Sequence, residues 1–150
     1  MAVTSAVLVN DGGAPARIMN FLAAEAITAG LCLEIITSAV GPKVQMHDSP
    51  DSAVAGFALA DAAAGDMCSV ITGKGIQLNV HVDGGTTNIA IGDDLEVITG
   101  GALAVAGAAV NTDDLRIVCA VALEATTETA ANHLLSSSGG GVQLFKVLVL

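Results

Sequence analysis

The chain has 150 residues, of which 53% are hydrophobic, 13% charged and only 2% aromatic, and its 5 basic and 15 acidic residues leave a net charge of −10. That composition excludes disorder, which pairs low hydrophobicity with high charge. It also excludes a basic surface for nucleic acid or anionic lipid, because so few cations neutralise too few phosphates.

The first segment places Val3, Val7 and Val9 in a strand-like run with Thr4, Ala6 and Leu8 between them, and Asn10, Asp11, Gly12 and Gly13 then break it. Residues 15–29 fit a helix with Pro15 at its first position and Gly30 past its end, and they fit a strand equally well. Short runs rich in Val, Ile, Leu and Thr follow, such as residues 33–37, 76–82 and 142–150. Turn signals separate the runs: Gly41-Pro42, Ser49-Pro50, Gly65-Asp66, Gly73-Lys74-Gly75, Asp83-Gly84-Gly85, Gly92-Asp93 and Gly100-Gly101. Regular short strands with Gly-rich turns predict an all-β fold, a small barrel or sandwich. Residues 126–135, rich in Ala and opened by threonines, fit a short helix or a long loop. The closing VQLFKVLVL is apolar nearly throughout, which predicts a strand covered on both faces.

No run approaches the roughly 18 apolar residues a spanning helix needs. Residues 1–10 carry no Lys or Arg ahead of their apolar stretch, so no signal peptide is expected. Cys32, Cys68 and Cys119 are odd in number and lack C-x-x-C spacing. They read as buried free thiols of a protein made inside a cell, with neither a disulfide framework nor a zinc site. The apolar fraction is made of small side chains, 27 alanines and 17 valines against three phenylalanines. A monomer so apolar and so poorly charged would leave apolar patches in water, so a homo-oligomer is expected to bury them.

An internal repeat is visible. ITAGLCLEIIT at 27–37 matches IAIGDDLEVIT at 89–99 with an offset of 62 and six identities, including Gly30/Gly92, Leu33/Leu95 and Glu34/Glu96. Phe57-Ala58-Leu59 then pairs with Val121-Ala122-Leu123 at an offset of 64, and GIQL at 75–78 with GVQL at 141–144 at an offset of 66. The expected organisation is an N-terminal arm or added strand over 1–25 and a β domain over 26–150. That domain holds two repeats of about 60 residues each, near 26–82 and 89–150, which share one core.

The catalytic inventory is close to empty. His47-Asp48 with Asp51 and His81 with Asp83 flank turns, where solvated polar residues are the default, and neither group has the converging ligands of a metal site. Asp93-Asp94 and Asp113-Asp114 lack the alternate-residue spacing of a calcium loop and read as solvated turn tips. Gly73-Lys74-Gly75 lacks the Ser or Thr that follows the lysine of a phosphate loop, so a hairpin turn accounts for its glycines. No G-x-S-x-G elbow exists, and without Trp or Tyr there is no platform for stacking bases. No catalytic residue, metal or cofactor is expected.

The segment AVAGFALADAAAGDMCSVITGKGIQLNV at 53–80 resembles the signature of tailed-phage capsid cement, or head decoration, proteins. In that family a "GvAledaaaGe" stretch precedes a strand of alternating valines. IAIGDDLEVITGGALAVAG at 89–107 resembles the family's "iGdpL…t.GGvl" hairpin, VALEATTE at 121–128 its second "GiALe" copy, and FKVLVL its closing strand. The sequence departs from the family at Leu31-Cys32, where an acidic residue often follows the glycine, and at the long insert over 129–141. The resemblance implies a β-rich virion protein, usually trimeric, that is assembled in the host cytoplasm. Its partner is the major capsid protein on the outer surface of an icosahedral shell, which it stabilises, with no nucleic-acid or membrane partner. In that setting the arm is the expected capsid contact, through Val3, Val7, Val9, Asn10, Asp11 and Arg17, by adding a strand to an open sheet edge. A small β-barrel ligand-binding domain and another virion or surface-layer assembly component are the alternatives.

Overall fold

The computed structural model describes residues 15–48, 52–82, 89–98, 100–106, 118–125 and 144–150, and every regular element among them is a strand. In chain order these are β1 Arg17–Ala23, β2 Cys32–Ser38, β3 Gly41–Met46, β4 Val54–Ala58, β5 Met67–Thr72, β6 Gln77–His81, β7 Asp94–Val97, β8 Leu103–Val105, β9 Val118–Ala122 and β10 Leu144–Val149. The first five close into a barrel in the order β1-β3-β2-β4-β5, and the last five form a sheet in the order β6-β10-β9-β7-β8.

Side-chain size explains why five strands can close. Alternate residues of the barrel strands point inward, and the interior is filled by Ala23, Leu33, Val44, Ala58, Cys68 and Val70, with Ile27 and Ala62 added from the connections. A five-stranded lumen is narrow, so it takes alanine, valine and cysteine where an aromatic would not fit. The outer row Cys32, Phe57 and Ile71 packs instead against the second sheet, in one core with Leu78, Val80, Leu95, Leu103, Phe145 and Val147. Main-chain bonds tie the two layers as well. Cys32 N donates to Gly101 O at 2.7 Å, Gly100 N and Gly101 N donate to His47 O at 3.0 and 3.1 Å, and His81 N donates to Gly30 O at 3.0 Å.

Several pairings in the two sheets resemble one another. Leu33 faces Gly56 and Glu34 faces Val54 across a register shift; Leu95 faces Ala120 and Glu96 faces Val118 across the same shift. Gly30 and Gly92 each sit at positive φ in a tight turn, closed by Leu31 N to Thr28 O and by Asp93 N to Ala90 O. The parallel contact of β1 with β3 is answered by a single parallel bridge, Val82 with Leu103.

This arrangement decides between some expectations and corrects others. Residues 15–29 contain a strand and no helix, because β1 gains a full antiparallel partner in β5, from Arg17–Thr72 to Leu22–Met67. β1, inside the segment read as an arm or an added strand over 1–25, is a strand of the barrel. Of the GIQL and GVQL landmark, Gln77 and Leu78 begin β6 and Leu144 begins β10, while residues 141–143 lie outside the described ones. Gly73-Lys74-Gly75 is a crossing from barrel to second sheet and not a hairpin, because β5 and β6 do not pair. β10 is half covered: Phe145, Val147 and Val149 are buried, while Lys146 and Leu148 are only partly so. Residues 126–135 and the Asp83-Gly84-Gly85 and Asp113-Asp114 turns lie outside the described residues.

Candidate interaction surface

β1, β3 and β4 begin, and β2 and β5 finish, at one end of the barrel. Four large apolar side chains are exposed there: Ile18 (54%) and Met19 on β1, Ile35 on β2, and Val40 (73%) in the β2–β3 turn. Ile18 and Met19 are adjacent in a strand and so point to opposite faces, yet both reach solvent. The cause is how β1 closes the barrel. It meets β3 only at Leu22–Lys43 and Ala23–Val44, so among the described residues its first half is paired on one side alone, with β5. An unpaired strand edge flanked by exposed apolar side chains is the kind of edge to which another strand can add.

Charge is divided along the same axis. Arg17 and Lys74 lie at the apolar end, whereas Glu25, Asp48, Asp61 and Asp66 lie at the other. Arg17 opens β1, exposed and opposite Thr72; Val3, Val7, Val9, Asn10 and Asp11 lie outside the described residues. Beside this end a cleft of about 260 Å³ runs between barrel and sheet, lined by Val54, Phe57, Thr72, Val118, Cys119 and Leu150. It is smaller than the roughly 300–1,000 Å³ of a typical small-molecule site.

The histidines considered as metal ligands are bound into the fold. His47 Nε2 donates to Ser52 O at 2.8 Å and His81 Nε2 to Ala29 O at 2.7 Å. No group of three His, Cys, Asp or Glu residues among the described ones could hold a metal ion. Of the acidic turn pair, Asp94 is exposed, while Asp93 folds back to accept from Ala90 N at 2.8 Å. Burial pushes the buried His81 imidazole below its ordinary pKa. Burial pushes the Glu34 carboxyl up, but hydrogen bonds from Gln45 (2.7 Å) and Ser52, the nearby His47 and a backbone bond from Asp48 outweigh it and hold the carboxyl low.

Both shifts act in one direction. The unfolded chain takes up a proton at His81 as pH falls through about 6.5, and at Glu34 below about 4.5, while the folded chain resists both. The urea midpoint should therefore decline between about pH 7 and pH 4, and His81→Gln should flatten the upper part of that decline. An unchanged midpoint from neutral pH to pH 5 would contradict this.

A solved structure described as the head fiber gp8.5 N base in bacteriophage phi29 matches this chain with a TM-score of 0.58, covering 91% of this chain and 95% of that one. The fold is shared with a phage head fiber base. Sequence identity to it is 18%, so the likeness is one of architecture, and its coverage takes in both barrel and second sheet. No protein-family model matches the chain, and no curated protein matches it. The exposed end was not evident from sequence: Ile18, Met19 and Ile35 occupy ordinary strand positions, and for Ile18 and Met19 it is the short β1–β3 seam that leaves them exposed.

Proposed function

We propose that this protein is a structural component of a phage virion. As an oligomer, a trimer in this reading, it binds the outer surface of the icosahedral shell through the major capsid protein and stabilises that shell as a cement protein. The observation that carries the reading is the fold shared over nearly the whole chain with a head fiber base. The sequence resemblance to decoration proteins and the exposed apolar end of the barrel support it. The role is mechanical: a subunit seated across a junction adds contacts that must break before the shell opens. It stabilises by mass action, because it binds the assembled shell and not the dissociated parts.

In this reading the apolar end, where the chain enters β1, faces the shell, and the acidic end faces solvent. Purified protein mixed with expanded shells should bind at saturable occupancy and raise the temperature at which the shells open. Ile18→Asp should lower shell affinity about tenfold or more, with the free protein melting as before because Ile18 is already half exposed. Absence of binding to the shell would overturn the reading; unchanged affinity in the variant would move the contact elsewhere. Light scattering of the free protein tests the trimer.

A further inference from the structure

The ladder on β1 fixes which of its main-chain groups are free. Opposite residues of an antiparallel pair alternate between exchanging bonds and turning their groups away. Ala23 N donates to Asp66 O at 2.8 Å, in step with the β1–β5 register, so Arg17, Met19 and Phe21 also bond towards β5. Ile18 and Asn20 therefore turn N–H and C=O away from it. The other strand shows the same alternation: Ser69, opposite Asn20, accepts from Leu59 N at 2.9 Å on its far side.

A proline keeps that edge open. On β3, Val44 faces β1 with its main chain, accepting from Ala24 N at 2.8 Å. Pro42, two residues earlier, faces the same way. Proline has no N–H, so the parallel seam cannot step on from Leu22–Lys43 to Asn20. The far end of the seam is capped instead, with Met46 N donating to Glu25 Oε1 at 2.9 Å. Two cations bracket the open stretch, Arg17 at the start of β1 and Lys43 opposite Leu22. They stand about 17 Å apart along the strand. Neither makes an ion pair among the described residues.

We infer that the β1 edge takes an extended segment of another protein, about six residues long, apolar in its middle and with a carboxylate at each end. Its main chain pairs with the free groups of Ile18 and Asn20, its apolar side chains cover Ile18 and Met19, and its carboxylates meet Arg17 and Lys43. A second copy of this chain does not fit. Two β1 edges laid side by side bring cation to cation, and RIMNFLA offers no carboxylate. That the segment belongs to the major capsid protein rests on the shell-binding reading above; the chemistry of the edge does not.

The test titrates the isotope-labelled full-length protein with the capped peptide Glu-Val-Thr-Ile-Val-Glu, followed by NMR. Binding should saturate with a Kd of about 1 mM or tighter. Amide exchange should slow at Ile18 and Asn20 and stay unchanged at Met19 and Phe21. The same peptide with lysine at both ends should bind about tenfold more weakly. Ile18→Pro removes a free N–H without touching the β1–β5 bonds, and should weaken binding about tenfold. If that variant does not fold, the double variant Arg17→Glu with Lys43→Glu decides, because it should prefer the lysine peptide. Absence of saturable binding, equal affinity for the two peptides, protection away from β1, or an oligomer of this chain that the peptide dissociates would overturn the inference. On expanded shells the peptide should displace the bound protein. A peptide that binds β1 without displacing it moves the shell contact elsewhere and upholds the edge site; a protein that binds no shell overturns the proposed function alone.

Discussion

Deleting residues 145–150 is expected to abolish cooperative folding. β10 is the second strand of its sheet, paired from Leu144–His81 to Leu148–Gln77 on one side and from Val147–Ala122 to Val149–Ala120 on the other. Its loss removes Phe145, Val147 and Val149 from the core between the layers, strips β6 of its partner strand and leaves β9 paired with β7 alone. Large-to-small truncation of one buried apolar residue costs about 2–5 kcal/mol, and a domain this size holds about 5–15 kcal/mol in all. The truncated chain should show no thermal transition by circular dichroism and should partition into the insoluble fraction. Removing Leu150 alone, which is 51% exposed, is the control and should leave the transition in place. A soluble truncation with a sharp melt would mean that the second layer does not need its C-terminal strand.

The second large effect is expected at one glycine. Gly101 has φ +80, and a Cβ there would lie 2.5 Å from Cys32 O and 3.3 Å from Cys32 N. The same residue accepts the 2.7 Å bond from Cys32 N that joins the second sheet to the barrel. Gly101→Ala therefore meets both a left-handed backbone and a backbone clash, and relieving the clash breaks the bond between layers. A loss of about 4 kcal/mol or more is expected. Gly100 has nearly the same φ, +88, but open space around it, so Gly100→Ala should cost only about 1 kcal/mol. Urea midpoints of the two variants separate the clash from the conformational term; equal losses would refute the close approach.

The strands were readable where short apolar runs met glycine turns, as at Leu33, Leu95 and the Gly100-Gly101 hairpin between β7 and β8. Residues 15–29 were ambiguous for a physical reason. Arg17 to Asn20 are exposed on both faces, so β1 carries no alternation, and its identity comes from β5, some fifty residues away in sequence. The apolar density of residues 142–150 suggested two covered faces because Lys146 and Leu148 sit among valines and leucines, while the layering gives one face to the core. The interaction surface was hidden for the opposite reason. Ile18, Met19 and Ile35 look like core residues, and the two-pair seam between β1 and β3, which exposes Ile18 and Met19, is a parallel contact that no local pattern encodes.

The order of the strands along the chain has a kinetic consequence. β1 to β5 are contiguous, so the barrel can complete its own hydrogen bonding while β6 to β10 are still being synthesised. Until they emerge, the row Cys32, Phe57 and Ile71 has nothing to cover it. The nascent protein therefore passes through a barrel with a greasy flank, and slower synthesis lengthens the time that flank is available for aggregation.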